Sequence, residues 1–219
     1  MLQDQNIKGI SLLEILVVVV IIGLISAVGY PNFSKWKKDR EVRIGAEKVY
    51  GLVNAIVAQT QRGYFPYVQV KIQPKENPKI VTSSGMTKDK FSQQLNSGGG
   101  NLDCGDTVPW DKSPVQKYEA DKIVFDIAAN GSVCFSKDGK KYSLTEQLLK
   151  HENIFIEDRP KGKQDYIIIC HERDTSGDKR TRCPVKKNRT IDDPTYLIEW
   201  SRFGTVNKFK WDGDAWRRL

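Results

Sequence analysis

The chain has few of the residues and motifs from which catalytic sites are built. It contains two histidines, His151 and His171, and the pair His171-Glu172 lacks the second histidine of a metalloprotease helix. A GxSxG nucleophile motif, a Walker loop and a dinucleotide-binding fingerprint are also absent from the sequence. The sequence therefore predicts a protein that is not an enzyme and needs no cofactor.

Charge is scarce in the N-terminal region. Glu14 is the only charged residue between Lys8 and Lys35, and most of Ile10–Tyr30 is apolar. About 21 residues in a helix reach about 30 Å, the hydrocarbon thickness of a bilayer, whereas strands seldom exceed about ten residues. We therefore predict one transmembrane helix over residues 10–31.

A secretory signal peptide is the alternative interpretation of this stretch. Ser26-Ala27-Val28-Gly29 faintly resembles a signal peptidase site, but the apolar region of a signal peptide spans about 7–15 residues. The greater length of the run, the glutamate inside it and the helical pattern that follows favour a retained segment.

The helical pattern continues beyond Pro31, a residue that kinks any helix running through it. Apolar residues recur there at helical spacing, namely Val42, Ala46, Val49, Val53 and Ile56. This spacing predicts an amphipathic continuation over 32–62 that ends near Gly63, with Pro66 just beyond it, and that packs on the following domain.

The N-terminal segment resembles that of type IV pilins and type II secretion pseudopilins. The resemblance rests on Gly9 before the apolar run, Glu14, Gly23 within the span, Pro31 and the amphipathic continuation. It implies that a prepilin peptidase cuts after Gly9 and that the same enzyme methylates the new N-terminal amine of Ile10. The family more often has phenylalanine at this first mature position.

Such cleavage would give Glu14 a partner. A carboxylate at the centre of a bilayer costs roughly 2.5–3.5 kcal/mol, and cleavage leaves an ammonium group at Ile10. When subunits pack helix against helix, Glu14 can pair with the amine of a neighbour, which offsets the burial of both charges and fixes the axial register. The alternative is that Glu14 extends to the lipid headgroups, because it lies only four residues inside the span.

The distribution of basic residues opposes the expected topology. Lys8 alone precedes the span, whereas five basic residues follow it, namely Lys35, Lys37, Lys38, Arg40 and Arg43. The positive-inside rule would place the C-terminal part in the cytoplasm. Because prepilin-like chains insert with the leader in the cytoplasm and four cysteines favour an oxidising compartment, we expect a single-pass inner-membrane protein with a periplasmic C-terminal domain.

Residues 63–219 are expected to form one β-rich globular domain, giving an α+β, pilin-like fold in which the long helix packs on an antiparallel sheet. Strands are predicted at 122–127 and 132–136, joined as a hairpin by Asn130-Gly131. A further strand is predicted at 165–170. A C-terminal meander is predicted over strands at 196–200, 205–211 and 212–216, with turns at Gly204 and at Asp212-Gly213.

Other parts of this domain carry weaker signals. Residues 83–114 are expected to form loops and turns, with at most a short helix near Lys88–Leu95. The strand, glycine, strand pattern near Gly131 and Gly204 is similar to that of minor pseudopilins of the GspH/FimT type. Five aromatic residues are interpreted as sheet-packing side chains, namely Trp200, Phe203, Phe209, Trp211 and Trp216.

The four cysteines, Cys104, Cys134, Cys170 and Cys183, allow three disulfide connectivities. We favour Cys104–Cys134 and Cys170–Cys183, because each closes a modest loop. Zinc binding is the alternative, but the sequence has no CxxC pair and only two histidines.

Two further binding hypotheses rest on charge. A basic cluster could follow a phosphate backbone and capture DNA, with the solvated loop as the alternative; it comprises Lys179, Arg180, Arg182, Lys186, Lys187 and Arg189, with Arg217-Arg218 at the C-terminus. The acidic segments Asp174–Asp178 and Asp212–Asp214 could bind calcium, although both are also good turns and neither has EF-hand spacing.

The resemblance and the residues together predict a structural subunit. We expect a leader at 1–9, an assembly helix at 10–31, its amphipathic continuation at 32–62 and a periplasmic or extracellular domain at 63–219. The expected partners are a prepilin peptidase, the inner membrane and other pilin or pseudopilin subunits in a helical filament. A DNA-binding minor pilin and an unrelated membrane-anchored periplasmic protein are the alternatives, and the sequence does not separate a pilus from a secretion pseudopilus.

Overall fold

The computed structural model describes most of the chain. The described residues are 11–97, 104–105, 110–111, 115–127, 130–137, 141–143, 166–172, 174–175, 178–179, 183, 185, 194–201 and 204–219. For residues 28, 31, 141–143, 174–175 and 178–179 the description covers the backbone alone. The chain divides into two compact units, Met1–Lys37 and Lys38–Leu219.

Helix α1 runs from Leu12 to Gln61. It ends as the sequence predicts, because Gly63 adopts a positive φ of 80° and its N–H donates to the carbonyl oxygen of Thr60 at 3.0 Å. Glycine adopts this left-handed conformation without steric penalty, which makes it the common residue after a helix.

Ten of the strands in the described residues form two five-stranded antiparallel sheets. The first has the order β3-β2-β1-β5-β6 and contains β1 (Tyr67–Gln73), β2 (Lys79–Met86), β3 (Gln116–Ala120), β5 (Gly131–Ser136) and β6 (Lys141–Ser143). The second has the order β12-β11-β10-β7-β4 and contains β4 (Ile123–Phe125), β7 (Tyr166–His171), β10 (Thr195–Trp200), β11 (Val206–Trp211) and β12 (Trp216–Arg218). A short helix α2 (Lys88–Ser97) follows β2, and β8 (Asp174–Thr175) pairs with β9 (Asp178–Lys179).

The main core lies between α1 and both sheets. The predicted helical stripe is buried, with Val42, Ala46, Val49 and Val53 at 0% exposure and Ile56 at 1%. Alternate strand residues meet it, because neighbouring side chains in a strand point to opposite faces. They include Val68, Val70 and Ile72 of β1 and Ile167 and Ile169 of β7. The predicted α+β fold is confirmed.

Each sheet also has a covered second face. On the first sheet, Tyr67 and Met86 pack with Cys104 and Cys134, and Phe91 of α2 and Trp110 lie against them. On the second sheet, Tyr166, Ile168 and Leu197 form a smaller cluster that Cys183, Val185, Phe209 and Trp216 contact. The β-rich part therefore buries apolar side chains on both sides of both sheets.

The hairpin predicted at Asn130-Gly131 is wrong. The two strands exist, but β4 pairs with β7 in the second sheet, whereas β5 pairs with β1 and β6 in the first. The chain passes from one sheet to the other between them. An Asn-Gly pair favours a tight turn locally, but the pairing of each strand is decided by the apolar faces that it buries.

The loop predicted from residue 83 onward is also partly wrong. Strand β2 extends to Met86, and its residues Ser83, Ser84 and Gly85 pair with β1. Phe65 explains the glycine, because its ring fills the space above Gly85, where an added Cβ would lie 2.5 Å from the ring. The short helix predicted near Lys88–Leu95 is confirmed as α2.

The C-terminal meander is confirmed in its order and turns, but its third strand lies at Trp216–Arg218 and not at 212–216, because residues 212–215 form the turn. Strands β10, β11 and β12 pair in sequence order, with positive φ angles at Gly204 and Gly213 in the two turns. Trp200 and Trp211 are buried and Phe209 and Trp216 pack on the outer cluster, as predicted for sheet-packing residues. Phe203 lies outside the described residues.

Candidate assembly helix

The first turn of α1 contains Glu14, the residue predicted to direct assembly. The carbonyl oxygen of Ser11 accepts hydrogen bonds from the N–H groups of Glu14 at 3.0 Å and Ile15 at 3.2 Å. Glu14 lies in this first turn, where the unpaired N–H groups give the helix a partial positive charge that favours a carboxylate. The Glu14 side chain is exposed.

The helix surface from Leu12 to Ile25 is apolar on every side, apart from Glu14. Large apolar side chains are exposed by between 45% at Val17 and 83% at Leu12; they are Leu12, Leu13, Ile15, Leu16, Val17, Val18, Val19, Val20, Ile21, Ile22, Leu24 and Ile25. A surface helix of a water-soluble domain keeps a polar face, and this segment has none. Such a surface is typical of a segment that other apolar groups cover, such as lipid chains or apolar protein surfaces.

By length and hydropathy, no single straight helix among the described residues qualifies as a membrane span. The segments Leu12–Ala27 and Asn32–Gln61, bent at the short break between them, qualify together. The first of these segments lies within the predicted span over 10–31, and the second begins just after it.

Several predicted site residues lie outside the described part of the chain. Gly9 and Ile10, the predicted cleavage and methylation residues, are among them, and so is the side chain of Pro31, whose backbone is helical. The proximity of Glu14 to the amine of Ile10 in a neighbouring subunit therefore stays a prediction.

A group of exposed aromatic residues follows the apolar surface. Tyr30, Phe33 and Trp36 are exposed by 76%, 60% and 54%, and the ring centroids of Phe33 and Trp36 lie 5.8 Å apart. Lys35 and Lys37 lie on the same helical stretch and are also exposed.

Both favoured disulfides are present. Cys104 and Cys134 are joined with a Cα–Cα distance of 5.7 Å, and Cys170 and Cys183 are joined at the same Cα–Cα distance. The carbonyl oxygen of Cys104 accepts hydrogen bonds from Gln69 Nε2 at 2.8 Å and from Ser132 Oγ at 2.7 Å. The first disulfide is thereby fixed against β1 and β5, and the predicted pairing is confirmed.

Of the basic cluster predicted for DNA, the described residues include only the backbone of Lys179 in β9 and, in β12, Arg217-Arg218, which donate to Asp212 and to Asn207 Oδ1 respectively. The side chains of the acidic segment Asp174–Asp178 also lie outside them. DNA capture by the basic cluster and calcium binding by Asp174–Asp178 both stay predictions.

The second acidic segment forms a turn. Asp212 Oδ1 accepts the N–H groups of Asp214 at 2.9 Å and Ala215 at 2.7 Å, and Asp212 Oδ2 accepts a hydrogen bond from Arg217. These bonds, chiefly those from the backbone of Ala215 and Asp214, lower the pKa of Asp212 to about 2. Its carboxylate stabilises the β11–β12 turn, and no group of three or more metal-ligating side chains occurs within the described ranges.

Polar contacts between α1 and the second sheet were not predicted from the sequence. His171 Nε2 lies 3.0 Å from Glu41 Oε2, Lys210 Nζ lies 2.8 Å from Asp39 Oδ1, and Lys208 pairs with Glu47. All three acidic residues lie beside the buried helical stripe, so the helix spacing indicates their face. Their partners come from distant strands, and the sequence carries no signal for them.

Comparison with known proteins locates one family signature. Residues 4–30 match the family model of the prokaryotic N-terminal methylation motif, the signature of type IV pilins and pseudopilins. This range includes Gly9, Ile10 and Glu14. Neither curated proteins nor solved structures give a match to the chain.

Proposed function

We propose that this chain, which carries the type IV pilin and pseudopilin signature at residues 4–30, is a minor subunit of a type IV pilus or type II secretion pseudopilus. A prepilin peptidase cuts it after Gly9 and methylates the amine of Ile10. The leader stays on the cytoplasmic side, the apolar half of α1 holds the subunit in the inner membrane, and the β-rich domain lies in the periplasm.

The observation that carries this proposal is the all-round apolar surface of Leu12–Ile25 with Glu14 as its only charge. In a bilayer the helix is surrounded by lipid, and in a filament it packs against the helices of other subunits. Packing between helices in such surroundings gains little from the hydrophobic effect, because lipid tails are equally apolar. A buried charge pair can therefore decide which axial stagger is adopted.

The minor role is supported by the size of the second unit. Lys38–Leu219 carries two sheets with covered faces on both sides. A domain of this size is poorly suited to dense packing in a long filament. The proposal includes that the chain is a minor subunit of the GspH/FimT type.

The mass of the mature N-terminus tests processing. A mature chain that begins at Ile10 and carries one added methyl group agrees with the proposal. A chain that begins near Val28 would identify a secretory signal peptide and contradict it.

Glu14→Gln tests assembly, because it removes the charge and keeps the side-chain size. Membrane extraction should be unchanged, while incorporation into filaments should fall by at least about tenfold, since one buried ammonium per subunit loses its partner. Ser26→Ala, a neutral change in the same helix, is the matched control and should assemble normally. Normal incorporation of the Glu14→Gln variant would refute the register argument.

A further inference from the structure

His171 lies where α1 meets the end of a strand in the second sheet. It is the last residue of β7, and its ring contacts Glu41 of α1, which directly precedes the fully buried Val42. The next residue, Glu172, pairs with Lys79 of β2 in the first sheet at 3.1 Å. The His171 side chain is only 15% exposed, so water can replace few of its contacts.

Both ring nitrogens of His171 face oxygen atoms that only accept hydrogen bonds. Nε2 lies 3.0 Å from the carboxylate oxygen Oε2 of Glu41, and Nδ1 lies 2.6 Å from the backbone carbonyl oxygen of Glu172. Neutral imidazole carries one N–H group, whereas imidazolium carries two. The contacts therefore fit the imidazolium form, whose two N–H groups donate to the two oxygens.

The other charged groups of this cluster do not change with pH in the same way. Among the described residues, Lys122 Nζ lies 3.8 Å from Glu41 Oε1, and Lys79 Nζ lies 3.1 Å from Glu172 Oε1. Of the residue types present, only histidine ordinarily changes its charge between about pH 5 and pH 8. The contact between His171 and Glu41 is therefore the one that a pH change in this range alters.

We propose that His171 is a proton-dependent latch that holds the start of the buried part of α1 against the end of β7. With the ring protonated, the latch is a charge-assisted hydrogen bond to Glu41. When the ring loses its proton, the ion pair with Glu41 is lost and one of the two oxygens faces a ring lone pair, whichever nitrogen keeps its hydrogen. The latch lies within Lys38–Leu219, so it operates with or without the proposed membrane anchor.

Linkage gives the direction of the pH effect. The contact stabilises the fold while His171 is charged and Glu41 is ionised, and this stabilisation is lost as pH rises through the titration of the ring. The latch is thus closed in mildly acidic solution and open in mildly alkaline solution.

A double-mutant cycle on the full-length protein in detergent tests the latch. Unfolding constants are measured by urea titration at pH 5.5 and pH 8 for the wild type, Glu41→Gln, His171→Gln and the double variant. The coupling between the two residues, expressed as a ratio of unfolding constants, should be at least about threefold at pH 5.5 and close to one at pH 8.

A second pair on the same helix provides the matched control. Lys208 of β11 pairs with Glu47, two turns beyond Glu41, and this pair contains no histidine. The cycle of Glu47→Gln and Lys208→Gln should give the same coupling at both pH values.

Nuclear magnetic resonance of protein labelled with ¹⁵N-histidine reads the protons directly, and it does not depend on the folding of His171→Gln. The chain has two histidines, so a His151→Gln variant assigns the signals. At pH 5.5 both ring nitrogens of His171 should carry hydrogen, and at pH 8 only one should.

Two results overturn the proposal. Equal coupling of Glu41 and His171 at pH 5.5 and pH 8 refutes the dependence on the proton. A single protonated ring nitrogen at pH 5.5 refutes the imidazolium form that the two contacts fit. Both results leave the proposed assembly function untouched, because neither concerns the apolar half of α1.

Discussion

At Gly204, both the backbone conformation and the packing against α1 require a glycine. It has a positive φ of 80° in the β10–β11 turn, and an added Cβ would lie 2.3 Å from Val57 Cγ1 on the core side of α1. Val57 is β-branched and has little freedom to move away. Gly204→Ala should therefore lower the free energy of unfolding by about 2 kcal/mol or more, as measured by urea titration in detergent.

Gly51 supplies the control for this change. It is an exposed helical glycine with no atom within 4 Å of an added Cβ. Gly51→Ala should raise the free energy of unfolding by about 0.5–1 kcal/mol, because alanine loses less backbone freedom on folding. Equal stabilities of the two variants would contradict the packing described at Gly204.

Tyr196 makes stability depend on pH in the alkaline range. Its hydroxyl donates to Asp39 Oδ1 at 3.2 Å. Burial of the phenol, and then the nearby Asp39, raise the pKa of Tyr196 above its usual value. The stabilisation from this shift is complete below about pH 10, where the unfolded phenol is still protonated, and is lost as pH rises through the higher folded pKa.

Tyr196→Phe should reduce this alkaline decline in the free energy of unfolding, measured by urea titration between about pH 8 and pH 11, and leave the part due to Tyr118, whose pKa is also raised by burial and by Asp121. Tyr64→Phe changes a tyrosine that is 71% exposed and serves as the control, so its decline should match that of the wild type. A decline that persists unchanged in Tyr196→Phe would assign the effect to other groups.

At the scale of elements, each disulfide attaches a segment to the outer face of a different sheet. Cys104–Cys134 closes a sequence separation of 30 residues, and Cys170–Cys183 closes one of 13. Loop entropy predicts losses of about 3.5 and about 3 kcal/mol when each pair is replaced by alanine. The first pair should show the larger loss also because its sulfur atoms pack with Tyr67 and Met86.

Thermal unfolding of Cys104→Ala/Cys134→Ala and of Cys170→Ala/Cys183→Ala, each under non-reducing conditions, measures this difference. Both variants should unfold at lower temperature than the wild type, and the first at the lowest. The reverse order would mean that the outer cluster on the first sheet does not depend on its disulfide.

The elements also show what the sequence can and cannot predict. Helix α1 follows from the length of its apolar run and the apolar stripe beyond it, and strands β7, β10 and β11 follow from short runs rich in β-branched and aromatic residues. The pairing of β4 and β5 does not follow, because Asn130-Gly131 contains no information about which sheet each strand joins. Ser83–Gly85 has the composition of a turn but pairs with β1 as part of a strand, and the glycine leaves room for the ring of Phe65.

For the candidate site, too, one part could be predicted from the sequence and another part could not. The apolar surface around Glu14 is visible in the sequence, because a span needs no partner from elsewhere in the chain. The contacts of Asp39, Glu41 and Glu47 depend on residues more than 100 positions away, which local patterns do not reach.

For the whole molecule, the buried part of α1 determines where the chain can be shortened. Among the described residues, the core begins at Val42 and includes Ala46 and Val49. A chain that begins at Asn32 keeps all of these residues and should be soluble without detergent, with an unfolding temperature close to that of the wild type. A chain that begins at Tyr50 loses three fully buried side chains and should not fold stably, because each large deletion from a core costs several kcal/mol.

Circular dichroism and thermal unfolding of the two shortened chains measure this outcome. Cooperative unfolding of the chain that begins at Tyr50 would show that the sheets form a stable core without the helix. Failure of the chain that begins at Asn32 would show that the apolar segment contributes to folding as well as to anchoring.

The continuity of α1 has a mechanical consequence. The N-terminal half of this helix is the proposed anchor. From Val42 to Val57 the same helix packs against both sheets. A pulling force on the N-terminal half of α1 would reach the domain through the buried half of the same helix. To extract it, the force must shear all of the helix–sheet contacts at once, whereas a strand at a sheet edge can be peeled away one residue at a time. The proposed anchor is therefore joined to the domain through the part of the fold that should resist tension best.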